Sequence, residues 1–149
     1  DYLKLKMRLT PYLYSYSREA HETGVPTVRG MVLEFPDDPI TFGTYTQYQF
    51  MCGETFLVAP IYENTTTRDG IYLPEGTWID YWDGTSYEGS MTLNGYDAPL
   101  EKLPLFVKAG AIIPMYPEML HDREKPKNPI KVLLFTMKGY ICRISNPME

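Results

Sequence analysis

The chain has 149 residues, of which 44% are hydrophobic and 22% charged, close to the average for soluble globular proteins. This composition argues against disorder, and the longest apolar runs are too short to cross a bilayer, so we expect no membrane partner. The net charge is -5 and the basic residues are scattered. Nucleic acid is therefore not an expected partner, because a phosphate backbone requires clustered Lys and Arg.

Aromatic residues are frequent, with 13 Tyr, 2 Trp and 6 Phe alongside 13 Pro and 11 Gly. Aromatic residues in short segments bounded by Pro and Gly indicate β-structure. Their rings either fill a β core, which is the commoner case, or contact sugar. The two cysteines are too few for a disulfide framework and leave both a cytoplasmic and a secreted location open.

Residues 1–23 contain the one convincing helical pattern. Apolar residues recur there at spacings of three and four, and Gly24 provides the stop. The residues of this face are Leu5, Leu9, Leu13, Tyr16 and Ala20. Pro11 interrupts the pattern and predicts either a kink or two helices that meet there. His21 lies in the last turn, and we interpret it as an exposed helix-end histidine because no nucleophile or orienting partner lies beside it.

A strand, a loop and a short helix are predicted next. Residues 25–35, VPTVRGMVLEF, form an apolar run after a helix and a glycine, which is typical of a buried parallel strand. Turn-forming residues predict a loop over residues 36–45. QYQFMCG, at 47–53, is predicted as a short helix closed by Gly53.

From Phe56 onward the pattern changes to short strands separated by turn formers. The predicted strands are FLVAPIY (56–62), GIYLP (70–74), TWIDYW (77–82), SYEGSMTL (86–93) and PLFVKAGAIIP (104–114). Asp83-Gly84 is the strongest hairpin signal in the chain. The spacing predicts an antiparallel β-sandwich that begins near residues 52–55. After a proline-bearing linker, IKVLLF is predicted to begin another strand.

EFPDDP, at Glu34–Pro39, gathers three carboxylates in five residues. Sugar hydrolysis needs two carboxylates about 5 to 9 Å apart on opposite sides of the scissile bond. Asp37 and Asp38 are adjacent and cannot straddle a sugar ring, and the flanking prolines indicate a turn in which aspartates cap amides. We therefore interpret Asp37 and Asp38 as scaffold residues, leave both interpretations open for Glu34, and assign no catalytic residue to the chain.

Metal and cofactor sites are not expected. The histidines and cysteines are too dispersed to form a ligand pair, and the chain has neither a serine elbow nor a glycine-rich nucleotide loop. These dispersed residues are His21, His121, Cys52 and Cys142. Asn64-Thr65-Thr66 fits the N-glycosylation pattern, although a polar hairpin tip is the simpler interpretation.

Several segments occur in an order that resembles a known family. They are LTPYLYSYSREAHETGVPTVRG, LEFPDDP, QYQFMCGETFLVAPIYE, IYLPEGTWIDYWDG and DAPLEKLPLFVKAGAIIPM. Together they resemble glycoside hydrolase family 31, the α-glucosidase and α-xylosidase family, over roughly residues 3–118. The resemblance implies that residues 1–52 are the C-terminal end of a (β/α)8 catalytic barrel. It also implies that residues 53–118 form a proximal β-sandwich and residues 119–149 a linker and the start of a distal β domain.

The resemblance implies a retaining mechanism with an aspartate nucleophile and an aspartate acid/base on earlier barrel strands. Their motifs are absent from this chain, so we expect the chain alone to be inactive and an α-glucoside or α-glucan to bind through the rest of the barrel. TWIDYWDG and YDAPLEKLPLFVKAGAIIP resemble members that remodel α-glucans, which leaves an α-glucosyl or isomaltosyl transferase open. The exposed apolar faces of a partial barrel also leave self-association open.

A non-catalytic carbohydrate-binding sandwich is the rival from another class of protein. Tyr72, Trp78, Tyr81 and Trp82 would offer its stacking face. Alternation along a strand places Trp78 and Trp82 on the same face, and two indoles there are expected to be core residues.

Overall fold

The computed structural model describes residues 2–119, 121, 131–136 and the backbone of 141–144. This part of the chain is mostly antiparallel β-sheet with few helices. None of its helices is both long and apolar enough to cross a membrane.

The helices of the described residues lie between residues 2 and 46. The α-helices are α1 (Tyr2–Arg8), α2 (Thr10–Thr23) and α3 (Met31–Glu34), and the two 3-10 helices are Pro39–Phe42 and Thr44–Thr46. The strands are β1 (Val28–Gly30), β2 (Phe50–Cys52), β3 (Phe56–Val58), β4 (Thr67–Arg68), β5 (Ile71–Leu73), β6 (Thr77–Asp80), β7 (Ser86–Glu88), β8 (Met91–Leu93), β9 (Tyr96–Asp97), β10 (Leu105–Lys108), β11 (Ile112–Met115), β12 (Lys131–Phe135) and β13 (Ile141–Ile144).

A six-stranded antiparallel sheet in the order β1-β2-β3-β10-β6-β7 organises the fold. A second sheet has the order β11-β12-β13, and two ribbons pair β4 with β9 and β5 with β8. β1 lies at the edge of the large sheet and has β2 as its neighbour, with Val28 opposite Cys52.

The central strands of the large sheet are buried on both faces, because successive side chains point to opposite sides. One face packs against α2, β11 and β12, and the other against α3, β5 and β9. The first core contains Phe56, Val58, Ile79, Leu105 and Val107 with Tyr12, Ile113, Met115, Leu133 and Phe135. The second contains Leu57, Trp78 and Phe106 with Met31, Met51, Ile71, Leu73 and Tyr96.

The predicted interruption at Pro11 is confirmed as two helices. α1 ends at Arg8 and α2 begins at Thr10, with Pro11 in its first turn, where no helical partner is needed for the missing N–H. Gly24 ends α2 in the left-handed region at φ 81°, and its N–H donates to the carbonyl of Ala20 at 3.0 Å.

The hairpin predicted at Asp83-Gly84 is also confirmed. β6 pairs with β7, with Trp78 opposite Tyr87. The Asp83 carboxylate accepts a hydrogen bond from the Thr85 N–H at 2.8 Å, and this bond lowers the pKa of Asp83 despite the opposing effect of burial.

The prediction of a buried parallel strand over residues 25–35 is wrong. Only Val28–Gly30 is a strand, it pairs antiparallel with β2, and the chain turns at once into α3. Periodicity alone cannot separate a short apolar strand from a short buried helix. Here the helical turn places Met31 in the second core.

The prediction of a short helix at QYQFMCG is wrong as well. Phe50–Cys52 forms β2, which is paired on both sides, by β1 and by β3. Gly53 then turns the chain at φ 63°, and a Cβ there would lie 2.3 Å from the Tyr12 hydroxyl, so a glycine is required. Long-range pairing decides the conformation of this segment, and local sequence does not report it.

Two segments predicted as single strands are each divided between two sheets. SYEGSMTL becomes β7 and β8, and PLFVKAGAIIP becomes β10 and β11. A Cβ on Gly89 would lie 1.9 Å from the carbonyl oxygen of Pro74, so the close approach at the first corner requires a glycine. Gly110, at φ 86°, provides the second corner.

The strand predicted at IKVLLF is confirmed as β12, which pairs with β11 and β13. β11 is the edge of its sheet, a position where Pro114 can be accommodated because one side makes no ladder bonds. Most of the predicted linker, residues 116–129, lies outside the described residues. The division into 1–52, 53–118 and 119–149 stays a prediction, and the six-stranded sheet continues across residue 52.

Candidate functional site

Glu34–Pro39 forms a short surface segment that we name the rim loop. Glu34 ends α3, and Asp38 caps the following 3-10 helix by accepting a hydrogen bond from the Ile40 N–H at 3.0 Å. Asp37 is exposed beside it. The local geometry agrees with an aspartate that caps a proline-flanked turn.

Asp38 also ties the rim loop to β5. Its second carboxylate oxygen accepts a hydrogen bond from the hydroxyl of Tyr72 at 2.6 Å. Burial of Tyr72, together with this carboxylate, raises the pKa of Tyr72 to about 12. Both oxygens of Asp38 are thus occupied by donors of the chain itself.

Gln49 holds the backbone of the same tyrosine. Its side-chain amide nitrogen donates to the Tyr72 carbonyl at 2.7 Å, and its side-chain oxygen accepts from the Tyr72 N–H at 2.9 Å. Gln49 is buried, and its amide takes the place of a neighbouring strand at this point of β5. The fold therefore fixes Tyr72 through its backbone as well as its hydroxyl.

Arg29 forms a buried ionic cluster behind the rim loop. Its Nε lies 3.0 Å from a carboxylate oxygen of Glu34, and its Nη1 lies 3.8 Å from Glu19 on α2. The Nε–H is not aimed at Glu34 as a hydrogen bond requires, so this contact is an ion pair. The guanidinium also lies 5.9 Å from the ring centroid of Tyr16.

The carboxyl group of Glu34 is partly buried beside Arg29. Burial raises the pKa of Glu34 above its ordinary value, although the positive charge of Arg29 opposes the shift. A raised carboxyl pKa can accompany acid/base chemistry, but structural ion pairs perturb pKa values in the same way. Glu34 is joined to Arg29, and this pairing favours a structural role.

A cleft of about 400 Å³ lies against the rim loop. Its lining residues are Glu34, Phe35, Pro36, Asp37, Asp38, Pro39, Tyr72, Pro74, Glu75 and Ser90. Ionised carboxylates accept hydrogen bonds and do not donate them, so this surface could accept bonds from hydroxyl groups. It offers no pair of aspartates that face each other across a gap, because Asp37 and Asp38 are neighbours and Asp38 is engaged.

The four aromatic residues proposed as a stacking face do not share a surface. Tyr72 and Trp78 are buried, with Trp78 0% exposed, whereas Trp82 is 38% exposed. The expectation that Trp78 and Trp82 lie on one strand face is wrong, because β6 ends at Asp80 and Trp82 belongs to the turn. Trp82 donates from its indole nitrogen to the carbonyl of Leu103 at 2.7 Å.

The remaining candidates lie apart from the rim loop. His21 is exposed in the last turn of α2, as expected, and Asn64 is exposed in the bend before β4. Cys52 is a free thiol, and burial raises its pKa. Within the described residues, no group of three or more His, Cys, Asp or Glu side chains is arranged to hold a metal.

Sequence reasoning missed Gln49, Arg68 and Asp80, three buried polar residues. Asp80 is 0% exposed and accepts hydrogen bonds from the Trp82 N–H at 2.8 Å and from the Tyr96 hydroxyl at 2.5 Å. A carboxylate inside an otherwise apolar strand was a usable signal, because a buried charge requires partners. Gln49 gave no such signal in its segment.

Comparison with known proteins gives a consistent result. The family model described as the glycosyl hydrolase family 31 C-terminal domain matches residues 24–113. An isomaltosyltransferase of Sporosarcina globispora is 45% identical over 114 residues, which are 76% of this chain and 10% of that protein. Alpha-glucosidase 2 of Bacillus thermoamyloliquefaciens is 41% identical over 138 residues, which are 93% of this chain and 17% of that protein.

A solved structure agrees in fold. The GH31 dextranase of Flavobacterium johnsoniae, complexed with glucose, superposes with a TM-score of 0.83 at 45% identity and covers 89% of this chain and 16% of the dextranase. The chain thus spans less than a fifth of the length of these relatives. On the matched family model and these identities, the chain belongs to glycoside hydrolase family 31.

Proposed function

We propose that the chain is the C-terminal portion of a retaining glycoside hydrolase that acts on α-glucosides, and that the catalytic aspartates lie elsewhere in the parent protein. The names of the similar proteins, an alpha-glucosidase and a dextranase, support this substrate class. The hydrogen bonds of Asp38 are the observation that supports the placement of the catalytic aspartates elsewhere in the parent protein. Both of its oxygens accept hydrogen bonds from the chain, so it is a poor candidate for a nucleophile.

In this proposal residues 1–52 are the C-terminal end of the catalytic barrel. The order of α2 followed by β1 supports it, as does the place of β1 at a sheet edge. Val28 on β1 and Leu33 on α3 are each 57% exposed, and exposed apolar side chains next to each other in the chain are often covered by a further part of a protein. Residues 53–118 are then the proximal sandwich and 119–149 the linker and the start of a distal domain.

Assay of the full-length parent tests the substrate class. We expect it to release glucose from maltose and from isomaltose, and an inverting stereochemical course or inactivity on every α-glucoside would contradict the proposal. A parent variant carrying Asp38→Asn is expected to keep kcat within about tenfold of the unmodified enzyme. Loss of a catalytic carboxylate would instead reduce kcat by several orders of magnitude.

An α-glucosyl or isomaltosyl transferase is the second candidate. The 45% identity to an isomaltosyltransferase favours it, and so does the 40% identity to a 1,6-alpha-glucosyltransferase of the same organism. Hydrolysis and transfer differ in whether water or a sugar hydroxyl attacks the glycosyl-enzyme. Products longer than the substrate, formed by the parent from maltose, would identify a transferase, whereas glucose alone would identify a hydrolase.

Self-association of the barrel-end segment is proposed for the isolated chain. Phe42 and Tyr45 are exposed beside the rim loop, and Leu3 and Tyr14 are exposed on the helices. Light scattering at increasing protein concentration is expected to show a growing mass that falls in a Phe42→Ser, Tyr45→Ser variant. A monomer at every concentration would contradict this proposal without affecting the substrate class.

A further inference from the structure

Two tight corners face each other on the surface of the protein. The corner Asp69-Gly70 joins β4 to β5, and the corner Asn94-Gly95 joins β8 to β9. Since β4 pairs with β9 and β5 pairs with β8, both corners lie where the chain passes from one two-stranded ribbon to the other. Both glycines are in the left-handed region, Gly70 at φ 69° and Gly95 at φ 66°.

Reciprocal hydrogen bonds join the two corners, and we name this pair of bonds the corner clasp. The Gly95 N–H donates to a carboxylate oxygen of Asp69 at 2.5 Å, and the Gly70 N–H donates to the side-chain oxygen of Asn94 at 2.9 Å. Among the described residues, the Asn94 side chain forms hydrogen bonds through this oxygen alone. Asp69, Asn94 and Gly95 are exposed, so water reaches the clasp.

An asparagine that precedes a glycine is prone to lose its side-chain amide. The backbone nitrogen of the glycine attacks the side-chain carbonyl carbon of the asparagine, and no Cβ on the glycine obstructs the approach. The reaction is accelerated by a base that takes the N–H proton and by a donor that stabilises the charge on the carbonyl oxygen. Each of these groups typically contributes about a hundredfold or more to such a step.

The corner clasp supplies both groups. The Asp69 carboxylate lies at the nitrogen that has to lose its proton, and an ionised carboxylate only accepts hydrogen bonds. The Gly70 N–H points at the oxygen on which negative charge develops, as backbone donors do in an oxyanion hole. The bonds of the clasp are therefore the ones that strengthen as the Gly95 nitrogen attacks.

We propose that Asn94 is a site of spontaneous self-modification, independent of the glycosidase function proposed above. The Gly95 nitrogen forms a bond to Cγ of Asn94 and gives its proton to Asp69. The bond between Cγ and Nδ2 then breaks, and Nδ2 takes this proton from Asp69 and leaves as ammonia. Water opens the resulting five-membered imide at one of its two carbonyl groups and gives aspartate or isoaspartate.

The product weakens the corner clasp. The new carboxylate at position 94 lies beside Asp69, and two like charges at short distance repel each other. Isoaspartate also adds one carbon to the backbone between β8 and β9, which disturbs the register of both strands with their partners. The modification is therefore expected to loosen the contact between the two ribbons as the protein ages.

Mass spectrometry of the purified 149-residue chain after incubation at mildly alkaline pH tests the proposal. Exchange of an amide for a carboxyl group changes the mass, and fragmentation of the peptide that contains residues 91–97 locates the change. Although the folded corner restricts the approach of the nitrogen, we expect Asn94 to be converted about tenfold faster in the folded chain than in guanidinium chloride, where the clasp is absent. Equal or slower conversion in the folded chain would overturn the proposal.

Two variants assign the acceleration to the clasp. Asp69→Ser keeps a polar side chain at the corner but removes the base, and it should slow the conversion of Asn94 about tenfold. Asp97→Ser removes an exposed carboxylate outside the clasp and is the matched control, so the rate should not change. An unchanged rate in the Asp69 variant, or an equal decrease in the Asp97 control, would contradict the proposal. If the Asp69 variant does not fold, the comparison of the folded and unfolded chain still decides.

Discussion

Tyr72 joins the rim loop to the β5 strand through its hydroxyl group. Tyr72→Phe removes the hydrogen bond to Asp38 without changing the ring. Because the acceptor is a carboxylate, we expect the free energy of unfolding to fall by about 1 to 2 kcal/mol in urea denaturation. Tyr45→Phe is the matched control, since Tyr45 is exposed, and it should change stability by less than about 0.5 kcal/mol. Equal effects of the two substitutions would show that the bond to Asp38 contributes nothing.

Gln49 acts on the same tyrosine through the backbone. Gln49→Met keeps the approximate shape but leaves the N–H and carbonyl of Tyr72 unpaired in a buried position. We expect a loss of about 2 to 4 kcal/mol of unfolding free energy. Gln47→Met, two residues away and exposed, is the control and should be nearly neutral. A neutral Gln49→Met would mean that water satisfies these groups.

Buried tyrosines give the chain a predicted sensitivity to alkali. The pKa values of Tyr16 and Tyr72 are raised to about 12, mainly by burial, against about 10 for a tyrosine in the unfolded chain. Between about pH 10 and about pH 12 the unfolded state has released protons that the folded state retains, so the free energy of unfolding falls as pH rises. Below about pH 10 both tyrosines keep their protons in the folded and the unfolded state, so they do not make the free energy of unfolding depend on pH.

Urea midpoints measured from pH 8 to pH 11 check this behaviour. The midpoint should decrease between pH 10 and pH 11, and this decrease should be smaller in a Tyr72→Phe variant. Burial also raises the pKa values of Tyr12 and Tyr96, which act in the same direction. An increase of the urea midpoint between pH 10 and pH 11 would contradict the upward direction of all four pKa shifts.

The contributions of Asp38 and Gln49 were not equally predictable from sequence. The capping role of Asp38 follows from its place between prolines in a local turn. Gln49 lies 23 residues before Tyr72, and nothing in QYQFMCG indicates that its amide pairs with a distant strand. Side chains whose partners are remote in sequence are identified only once the sheet is assembled.

At the scale of elements, the corner between β7 and β8 depends on the absence of a side chain at Gly89. Its N–H donates to the Gly76 carbonyl at 2.6 Å, and an added Cβ would lie 1.9 Å from the Pro74 carbonyl oxygen. Since backbone cannot move aside as a flexible side chain would, we expect Gly89→Ala to cost about 3 kcal/mol or more. Gly43→Ala is the control, because a Cβ at Gly43 would lie no closer than 3.6 Å to another heavy atom, and this variant should be tolerated. Thermal unfolding of both variants makes the comparison, and a stable Gly89→Ala would rule out the close approach.

Elements with local signals were predicted well and those defined by pairing were not. The Asp83-Gly84 hairpin and the two helices that meet near Pro11 follow from turn and helix chemistry within a few residues. The direction of β1 and the strand character of β2 depend on neighbours in the six-stranded sheet. The corner at Gly89 could not be predicted either, because the strand-like sequence pattern continues through SYEGSMTL while the backbone passes from one sheet to another.

At the scale of the whole molecule, the six-stranded antiparallel sheet joins the first 52 residues to the β-strands that follow them. β1 and β2 precede residue 53 and pair in the same sheet as β3, β10, β6 and β7. The buried Arg29 cluster and the contacts of Asp38 and Gln49 fix the rim loop on this sheet. We infer that the segment supplies a rigid border for a site built by other parts of the parent protein.

We propose that the acidic residues of the rim loop support structure and do not perform catalysis. The most direct test of this structural role is the rate at which the purified 149-residue chain hydrolyses an aryl α-glucoside. The same rate is measured for its Asp37→Asn and Asp38→Asn variants. We predict no release above the buffer rate for any of the three proteins. Sustained release by the unmodified chain that disappears in either variant would contradict the claim.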